Sequence, residues 1–205
     1  MKKQRIIRWL SALLCLCLLA GFAPAAMAYS NVSDWAKSEV AEMEALGLLP
    51  DCLLNADLSA NITRGEMCEL AVYAFEKATG NDIDMSNETF TGFTDTSDEN
   101  IVKAHLYGIV NGYGDSLFGP NDPVTREQLA AILYRYAVYG GMTAVTLEEN
   151  LGSFADTAQL SAYAIQAMNW AVGQGLINGS GSNLVPKAQA TRAQVAAIIH
   201  RYLER

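Results

Sequence analysis

The sequence predicts an all-α protein built from three tandem helix-loop-helix copies. A Thr-Arg pair occurs at positions 63–64, 125–126 and 191–192, and a glycine followed by an apolar residue precedes each pair. The distance from that glycine to the threonine is 16, 17 and 16 residues. Such nearly constant spacing is the pattern of an internal repeat, in which each copy is one supersecondary unit.

The copies also share an opening made of an aromatic residue, any residue and Asp. This opening is Phe93 to Asp95 in the second copy and Phe154 to Asp156 in the third, whereas the divergent first copy has Tyr29 and Asn31. The segments between copies are rich in Gly, Asn, Thr and acids and are predicted to be connectors. The predicted organisation is a leader at 1–28, copies at 29–79, 93–139 and 154–205, and connectors at 80–92 and 140–153.

The first 28 residues have the pattern of a secretory signal peptide. Four basic residues precede an almost wholly apolar run from 9 to 20, and Ala26-Met27-Ala28 is a small-residue cleavage pattern. The apolar run is shorter than the roughly 20 residues that a spanning helix needs. The sequence therefore predicts cleavage after Ala28, a secreted protein, and no membrane partner after cleavage.

The mature chain is predicted to be strongly acidic. The leader holds 4 of the 14 basic residues and none of the 22 acidic ones, so residues 29–205 have a net charge of −12. Nucleic-acid-binding proteins have basic stripes, and attachment to anionic lipid needs basic clusters. Neither is present in the sequence, so we expect no nucleic-acid partner.

An amphipathic helix is predicted after each Thr-Arg pair. Apolar residues recur 4, 7, 8 and 11 positions after the threonine, which is the stripe of one helix face. Each helix begins with a capping box, in which the threonine hydroxyl accepts a backbone N–H and the Glu or Gln side chain accepts one in return. The predicted boxes are Thr63 with Glu66, Thr125 with Gln128, and Thr191 with Gln194.

An earlier helix in each copy is predicted to end at the shared glycine. These helices span about 34–46, 98–107 and 160–174, and the glycines are Gly47, Gly108 and Gly175. Glycine at this position suits the left-handed conformation in which many helices end.

The arginine of the Thr-Arg pair is not explained by capping. Arg64, Arg126 and Arg192 are expected in a first helical turn, where the helix dipole disfavours a cation by roughly 0.3 to 1 kcal/mol. One interpretation is structural: the guanidinium pairs with an acid of a neighbouring copy, such as the Asp of the opening. The other is an anion site, in which the guanidinium and free helix N–H groups converge on a carboxylate or phosphate.

Taken together, the aromatic-x-Asp opening, the Gly-Ile/Leu-x-Asn-Gly and Phe-x-Pro segments and the Thr-Arg pair resemble the S-layer homology (SLH) domain. The resemblance covers residues 29 to 205 and is weakest in the first copy. It implies a pseudo-threefold, three-pronged helical bundle whose grooves bind a secondary cell-wall polysaccharide, commonly through a pyruvate ketal carboxylate. It therefore implies noncovalent attachment to the bacterial cell wall.

The same resemblance implies which residues contact the polymer. The residues carried over by position are Arg64, Arg126, Arg192, Gly47, Gly108, Gly175, Asp95 and Asp156. Aromatic residues near these landmarks could stack on sugar faces or lie in the core, and these are Trp35, Tyr113, Phe118, Tyr163 and Trp170. An alternative function is a structural or protein-interaction module at the cell surface, with degenerate ligand grooves and an unidentified surface protein as its partner.

The sequence predicts no catalytic residues, no metal site and no cofactor. It contains no repeated nucleophile-base arrangement, no glycine-rich phosphate loop and no zinc motif. Asp95, Asp98, Glu99 and Asn100 offer oxygen ligands for Ca²⁺, but solvated loop acids are the favoured interpretation because the Asp-x-Asp-x-Asp-Gly pattern is missing. Cys52 and Cys68 are interpreted as small, largely buried apolar residues, with a disulfide as the alternative.

Overall fold

The computed structural model describes residues 32–85, 90, 92–141 and 150–204. The predicted leader and its cleavage site, together with Tyr29 and Asn31 of the first opening, lie outside the described residues. The all-α prediction is confirmed, since the described part contains seven α-helices, two short 3-10 turns and no strand. The helices are α1 Asp34–Ala45, α2 Asp51–Leu54, α3 Arg64–Thr79, α4 Glu99–Leu106, α5 Arg126–Tyr139, α6 Ile165–Gly173 and α7 Arg192–Leu203.

The three helices that begin at a Thr-Arg pair each have a complete capping box. The threonine Oγ1 accepts the backbone N–H of the third helical residue, at 3.2 Å in α3, 3.4 Å in α5 and 3.2 Å in α7. The side chain of that residue accepts the threonine N–H in return. The predicted apolar stripes are also buried, apart from a partly buried Tyr202. Both features were predictable because they depend on residues within one helix.

The earlier helices α1, α4 and α6 end as the shared glycines predict. Gly47, Gly108 and Gly175 have φ values of +64°, +71° and +62°. The residue after each glycine donates its N–H to the carbonyl five positions back, at 2.8 Å, 2.9 Å and 2.8 Å, which closes a Schellman motif. A left-handed backbone costs a residue with a side chain about 1–2 kcal/mol, so glycine is the favoured residue at this position.

The third copy departs from its predicted first helix. Instead of one helix over about 160–174, two 3-10 turns at Thr157–Gln159 and Ala162–Ala164 precede α6. The backbone N–H and the hydroxyl of Ser161 both donate to Glu127 of the second copy, at 2.9 Å and 3.0 Å. Ser161 precedes the second 3-10 turn without capping it, and α6 begins at Ile165 without a side-chain cap.

Helix packing joins the copies rather than keeping each one separate. Helix α4 of the second copy packs against α3 of the first, and α6 of the third copy packs against α5 of the second. Helix α1 of the first copy packs against α7 of the third, which completes the cycle. Each helix pair therefore combines the first helix of one copy with the Thr-Arg helix of another.

The segments just before the three threonines meet at a central hub formed by Ile62, Val124 and Ala190. The N–H of Ile62 donates to Ala190 at 3.0 Å, that of Ala190 to Val124 at 2.8 Å, and that of Val124 to Ile62 at 3.1 Å. All three side chains are fully buried. Burying a side chain such as Ile or Val contributes about 1.5–3 kcal/mol, so the hub also stabilises the contact between copies.

Candidate functional site

The three arginines lie where the start of a Thr-Arg helix meets a loop of another copy, and their surroundings differ. Arg64 is buried, at 6% exposure. Its Nε donates to the carbonyl of Phe118 at 3.0 Å and its Nη2 to the carbonyl of Asn111 at 2.8 Å. The guanidinium carbon lies 4.4 Å from the ring centroids of both Tyr113 and Phe118. Carbonyls and aromatic rings of the second copy therefore already surround this charge.

Arg126 has far fewer partners. Its Nε donates to the carbonyl of Leu184 at 2.8 Å, and this is the only hydrogen bond of its side chain within the described residues. Burial lowers the pKa of Arg126, and the charge of nearby Asp156 only partly opposes this. The side chain is partly exposed. Its two terminal nitrogens therefore keep the donor capacity that a planar anion needs.

Arg192 forms an ion pair. Its Nη2 lies 2.7 Å from Oε1 of Glu66, its Nε is 3.1 Å from Oε2, and its Nη1 donates to the carbonyl of Asp57 at 3.0 Å. The hydrogen bond with Glu66 raises the pKa of Arg192. The equivalents of Glu66 are the neutral Gln128 and Gln194, so this pairing is particular to the first copy. Arg192 therefore fits the structural interpretation, in which the guanidinium pairs with an acid of a neighbouring copy. That acid is Glu66 and not the Asp of the opening.

The first backbone N–H groups of these helices are not available to a ligand. In α3, the N–H of Arg64 donates to Asp122 at 2.9 Å and that of Gly65 to Pro120 at 2.8 Å. The same two positions of α5 and of α7 donate to carbonyls of another copy at 2.9 to 3.0 Å. The expectation that free helix N–H groups help to hold an anion is therefore wrong. Loops of neighbouring copies occupy those donors instead.

Asp95 and Asp156 fix the loops of their own copies. Asp95 accepts the N–H groups of Phe118 at 3.0 Å and Gly119 at 2.7 Å. Asp156 accepts those of Leu184 and Val185, both at 2.8 Å. Neither forms an ion pair with an arginine among the described residues, so the opening Asp is not the acid that the structural interpretation of the arginine suggested as an example. Because these loops carry the carbonyls that Arg64 and Arg126 bind, the aspartates position the site.

The shared glycines have a structural explanation that is independent of ligand. A Cβ added to Gly47 or Gly108 would meet no atom within 4 Å. Their positive φ values account for glycine at all three positions. Contact between these glycines and the polymer stays a prediction.

A polar cluster beside Arg126 could not be identified from the sequence. Glu127 is buried, at 4% exposure, and Lys187 lies 2.6 Å from its Oε1. The carboxylate also accepts the N–H and hydroxyl of Ser161 and, at 3.3 Å, the hydroxyl of Tyr163. The hydrogen bonds from Lys187 and Ser161 outweigh the effect of burial and lower the pKa of Glu127. The cluster joins α5 to two segments of the third copy.

Val185 has an unusual backbone conformation at the Arg126 site. Its φ is +53°, although it is β-branched, and its side chain is 39% exposed. The equivalent position in the second copy is Gly119, where φ is +72°. A β-branched residue in this region is a true outlier, and such strain costs about 1–3 kcal/mol. The backbone strain of Val185 therefore lowers the stability of the fold. Its exposed side chain lies beside Arg126, the arginine with the fewest hydrogen-bond partners.

The structure separates the candidate stacking residues into two groups. Phe118 and Trp170 are buried, whereas Trp35, Tyr113 and Tyr163 are about half exposed. Tyr113 lies at the Arg64 site, and Tyr163 belongs to the cluster beside Arg126. These two tyrosines therefore remain candidates for contact with a sugar face.

The remaining sequence candidates have other roles. Asp95 binds its loop, Asp98 caps α4, and Glu99 lies 3.5 Å from Lys103. Three of the four candidate Ca²⁺ ligands thus have partners within the protein. Cys52 and Cys68 are separate thiols, and burial raises the pKa of each to about 12.

Comparison with known sequences identifies the family. A profile of the S-layer homology domain matches residues 99–130 and 153–196, which include the second and third Thr-Arg pairs. The chain carries SLH domains. This family is a cell-surface anchoring module that typically binds cell-wall polysaccharide, and it is not a catalytic domain.

The relatives of this SLH chain are much longer proteins. The chain is 31% identical over 189 residues to an amylopullulanase of Thermoanaerobacterium thermosulfurigenes, covering 86% of this chain and 10% of that protein. It is 41% identical over 108 residues to exoglucanase XynX of Acetivibrio thermocellus, covering 51% of this chain and 10% of that protein. It is 26% identical over 181 residues to the surface-layer 125 kDa protein of Lysinibacillus sphaericus, covering 86% of this chain and 15% of that protein. The chain thus spans between a tenth and about a seventh of these proteins.

Among the described residues, no helix has the length and apolar character to span a membrane.

Proposed function

We propose that this SLH protein, once exported and cleaved after Ala28, is held noncovalently at the bacterial cell wall. It does so by binding an anionic secondary cell-wall polysaccharide in grooves between its copies, with a pyruvate ketal carboxylate as the recognised group. The copies would surround a pseudo-threefold axis through the hub of Ile62, Val124 and Ala190. The cyclic hydrogen bonds of that hub and the cyclic packing of the helices support this arrangement.

One observation carries the proposal, namely the two terminal nitrogens of Arg126 that make no hydrogen bond in the described part of the chain. A guanidinium presents parallel N–H groups that match a carboxylate, and bonds between charged partners are about twice as strong as neutral ones. Burial lowers the pKa of Arg126, so a bound anion would also compensate a partly desolvated charge. We therefore assign the main polymer contact to the Arg126 groove.

The other two grooves are weaker candidates. Arg64 already donates to two carbonyls and lies between two aromatic rings, so an anion would reach it only from the side of Tyr113. Arg192 would have to exchange the carboxylate of Glu66 for that of the polymer, which gains little. We propose that Arg64 contributes chiefly through Tyr113 and that the Arg192 groove does not bind.

The acidic charge of the chain is compatible with an anionic ligand. Salt screens interactions between exposed charges beyond roughly 8 to 10 Å, so long-range repulsion is small at physiological ionic strength. Recognition then depends on short-range hydrogen bonds at Arg126 and on contact with the exposed rings of Tyr113 and Tyr163.

Co-sedimentation with cell-wall sacculi tests the proposal. The protein should sediment with sacculi that retain the polysaccharide and should stay in solution after that polymer is removed. Loss of a charged hydrogen-bond donor costs about 1.5–3 kcal/mol, so Arg126→Ala should weaken binding about 10- to 100-fold. Arg192→Ala is the matched control and should bind as the wild type does. Equal loss in both variants, or equal binding to stripped peptidoglycan, would contradict the assignment.

A structural or protein-interaction module at the cell surface is the second candidate function, and the occupied Arg64 and Arg192 favour it. If this function is right, the wild-type protein does not bind sacculi. Changing Arg64, Arg126 and Arg192 together to Ala then lowers the melting temperature. Wall binding that is lost in Arg126→Ala, at an unchanged melting temperature, favours the anchor instead. On either function we propose no catalytic activity for this chain.

A further inference from the structure

A buried histidine lies between the first and the last long helix of the described chain. His200 of α7 is 2% exposed, and its Nε2 lies 3.2 Å from Oε2 of Glu42 in α1. The same Nε2 is 3.8 Å from Oε1 of Glu204, the residue that follows the end of α7. One ligand atom from each of the three residues lies within 4.8 Å of the other two. An imidazole and two carboxylates are thus brought to one point.

The imidazole is not satisfied by the protein. Neither ring nitrogen of His200 makes a hydrogen bond within the described residues, although Nε2 faces the two carboxylates. The approach of Glu42 at 3.2 Å is close but lacks hydrogen-bond geometry. Leaving a buried polar group unpaired destabilises the fold, so such a group calls for a partner. A partner in front of Nε2 would sit between two negative oxygens.

We infer that Glu42, His200 and Glu204 form a binding site for a divalent transition-metal ion, with Zn²⁺ as the ion that fits best. Imidazole nitrogen together with carboxylate oxygen is a ligand set of zinc sites. Zinc–ligand bonds of about 2.0–2.1 Å place the ligands of a tetrahedron roughly 3.4 Å apart. The 3.2 Å and 3.8 Å separations from His200 Nε2 bracket that distance.

The surroundings suit entry and binding of an ion. The side chains of Glu42 and Glu204 are 58% and 42% exposed, so the carboxylates can adjust, and the site opens to solvent. Three protein ligands leave a fourth position for water. Arg201, the cationic residue that follows His200 in the chain, is paired with Glu39 of α1 at 2.7 Å. It therefore does not take up the carboxylates of the site.

Such an ion would act as a cross-link. Glu42 belongs to the first predicted copy and His200 to the third, 158 positions apart in the chain. Helices α1 and α7 form the contact that completes the cycle of helix pairs. A ligand that binds only the folded state stabilises it, so Zn²⁺ should stabilise this closure in particular. This inference does not depend on the polysaccharide proposal, because it concerns another surface.

Calorimetric titration of the chelator-treated protein with Zn²⁺ tests the site. One ion should bind per chain, and the melting temperature should rise by about 5–10 °C at a free Zn²⁺ concentration of about 100 times Kd. Glu42→Gln and Glu204→Gln preserve side-chain volume and should each weaken binding at least tenfold. Glu99→Gln removes a carboxylate that is 73% exposed on another helix and should leave binding unchanged.

Two results would overturn the inference. The first is the absence of saturable Zn²⁺ binding to the folded protein. The second is binding that Glu42→Gln and Glu204→Gln do not affect, which would place the ion elsewhere, for example on the thiols of Cys52 and Cys68. Cobalt substitution distinguishes these cases independently, since a site without cysteine gives no sulfur-to-metal charge-transfer band. Histidine variants are not needed, so loss of folding does not obscure the outcome.

Discussion

The ion pair between Arg192 and Glu66 can be removed with little other change. Gln128 and Gln194 occupy the positions equivalent to Glu66 and form complete capping boxes. Glu66→Gln should therefore keep the box of α3, since the amide oxygen can still accept the N–H of Thr63. It replaces the carboxylate oxygen that lies 2.7 Å from Nη2 of Arg192 with an amide NH2 group, so both the charge and that acceptor are lost.

The expected loss of stability follows from the burial of the pair. The side chains of Arg192 and Glu66 are 18% and 21% exposed. Exposed pairs contribute about 0.2–1 kcal/mol, whereas removing one partner of a fully buried pair costs about 3–5 kcal/mol. Because Gln still accepts one hydrogen bond and Asp57 still accepts another, we expect a loss of about 1–2 kcal/mol. For a chain of this size, that loss lowers the melting temperature by about 2–8 °C.

The loss should depend on pH in a defined direction. Burial raises the pKa of Glu66, but hydrogen bonds from Arg192 and from the N–H of Thr63 outweigh it, so the folded pKa lies below the usual 4.5. A depressed carboxyl pKa stabilises the fold above the unfolded pKa, and this contribution disappears as pH falls through the folded pKa. The difference between wild type and Glu66→Gln should therefore be constant near pH 7 and shrink below about pH 4.5.

Urea unfolding followed by circular dichroism at pH 7, 5.5, 4 and 3 measures this difference. Glu99→Gln is the control, because its carboxylate is largely exposed and lies 3.5 Å from Lys103. The control should change stability by less than about 1 kcal/mol. Equal stability of Glu66→Gln and wild type at pH 7 would refute the reasoning. A difference that persists undiminished at pH 3 would do so as well.

Two further substitutions test backbone conformation. Gly108→Ala should destabilise the protein by about 1–2 kcal/mol in urea, because φ is +71° and a Cβ would meet no atom. Gly152→Ala, where space is also open but φ is not left-handed, is its control and should be near neutral; similar losses in both would rule out the conformational explanation. Val185→Gly should raise the urea midpoint by an amount corresponding to about 1 kcal/mol, since relief of strain exceeds the added chain entropy. Val185→Ala should recover less, and a lower midpoint for Val185→Gly would show that the valine contributes packing that outweighs its strain.

The candidate site was only partly predictable. The sequence indicated that Arg64, Arg126 and Arg192 needed a partner outside their own helix. It could not show that the partners are two carbonyls for Arg64, one carbonyl for Arg126, and a carboxylate and a carbonyl for Arg192. Those groups come from residues 47 to 135 positions away. The free helix N–H groups were wrongly expected for the same reason, since the acceptors lie on loops of another copy.

The sequence by itself determined the features that depend on neighbours along the chain. The three capping boxes, the glycines that end α1, α4 and α6, and the buried stripes follow from residues within a few positions of one another, so local backbone geometry is sufficient. Only the tertiary structure decided how the three copies differ. Contacts between copies surround Arg64, neutralise Arg192, leave Arg126 with unused donors, and bring His200 to Glu42. Those contacts depend on how distant segments pack, which the local sequence of each copy cannot specify.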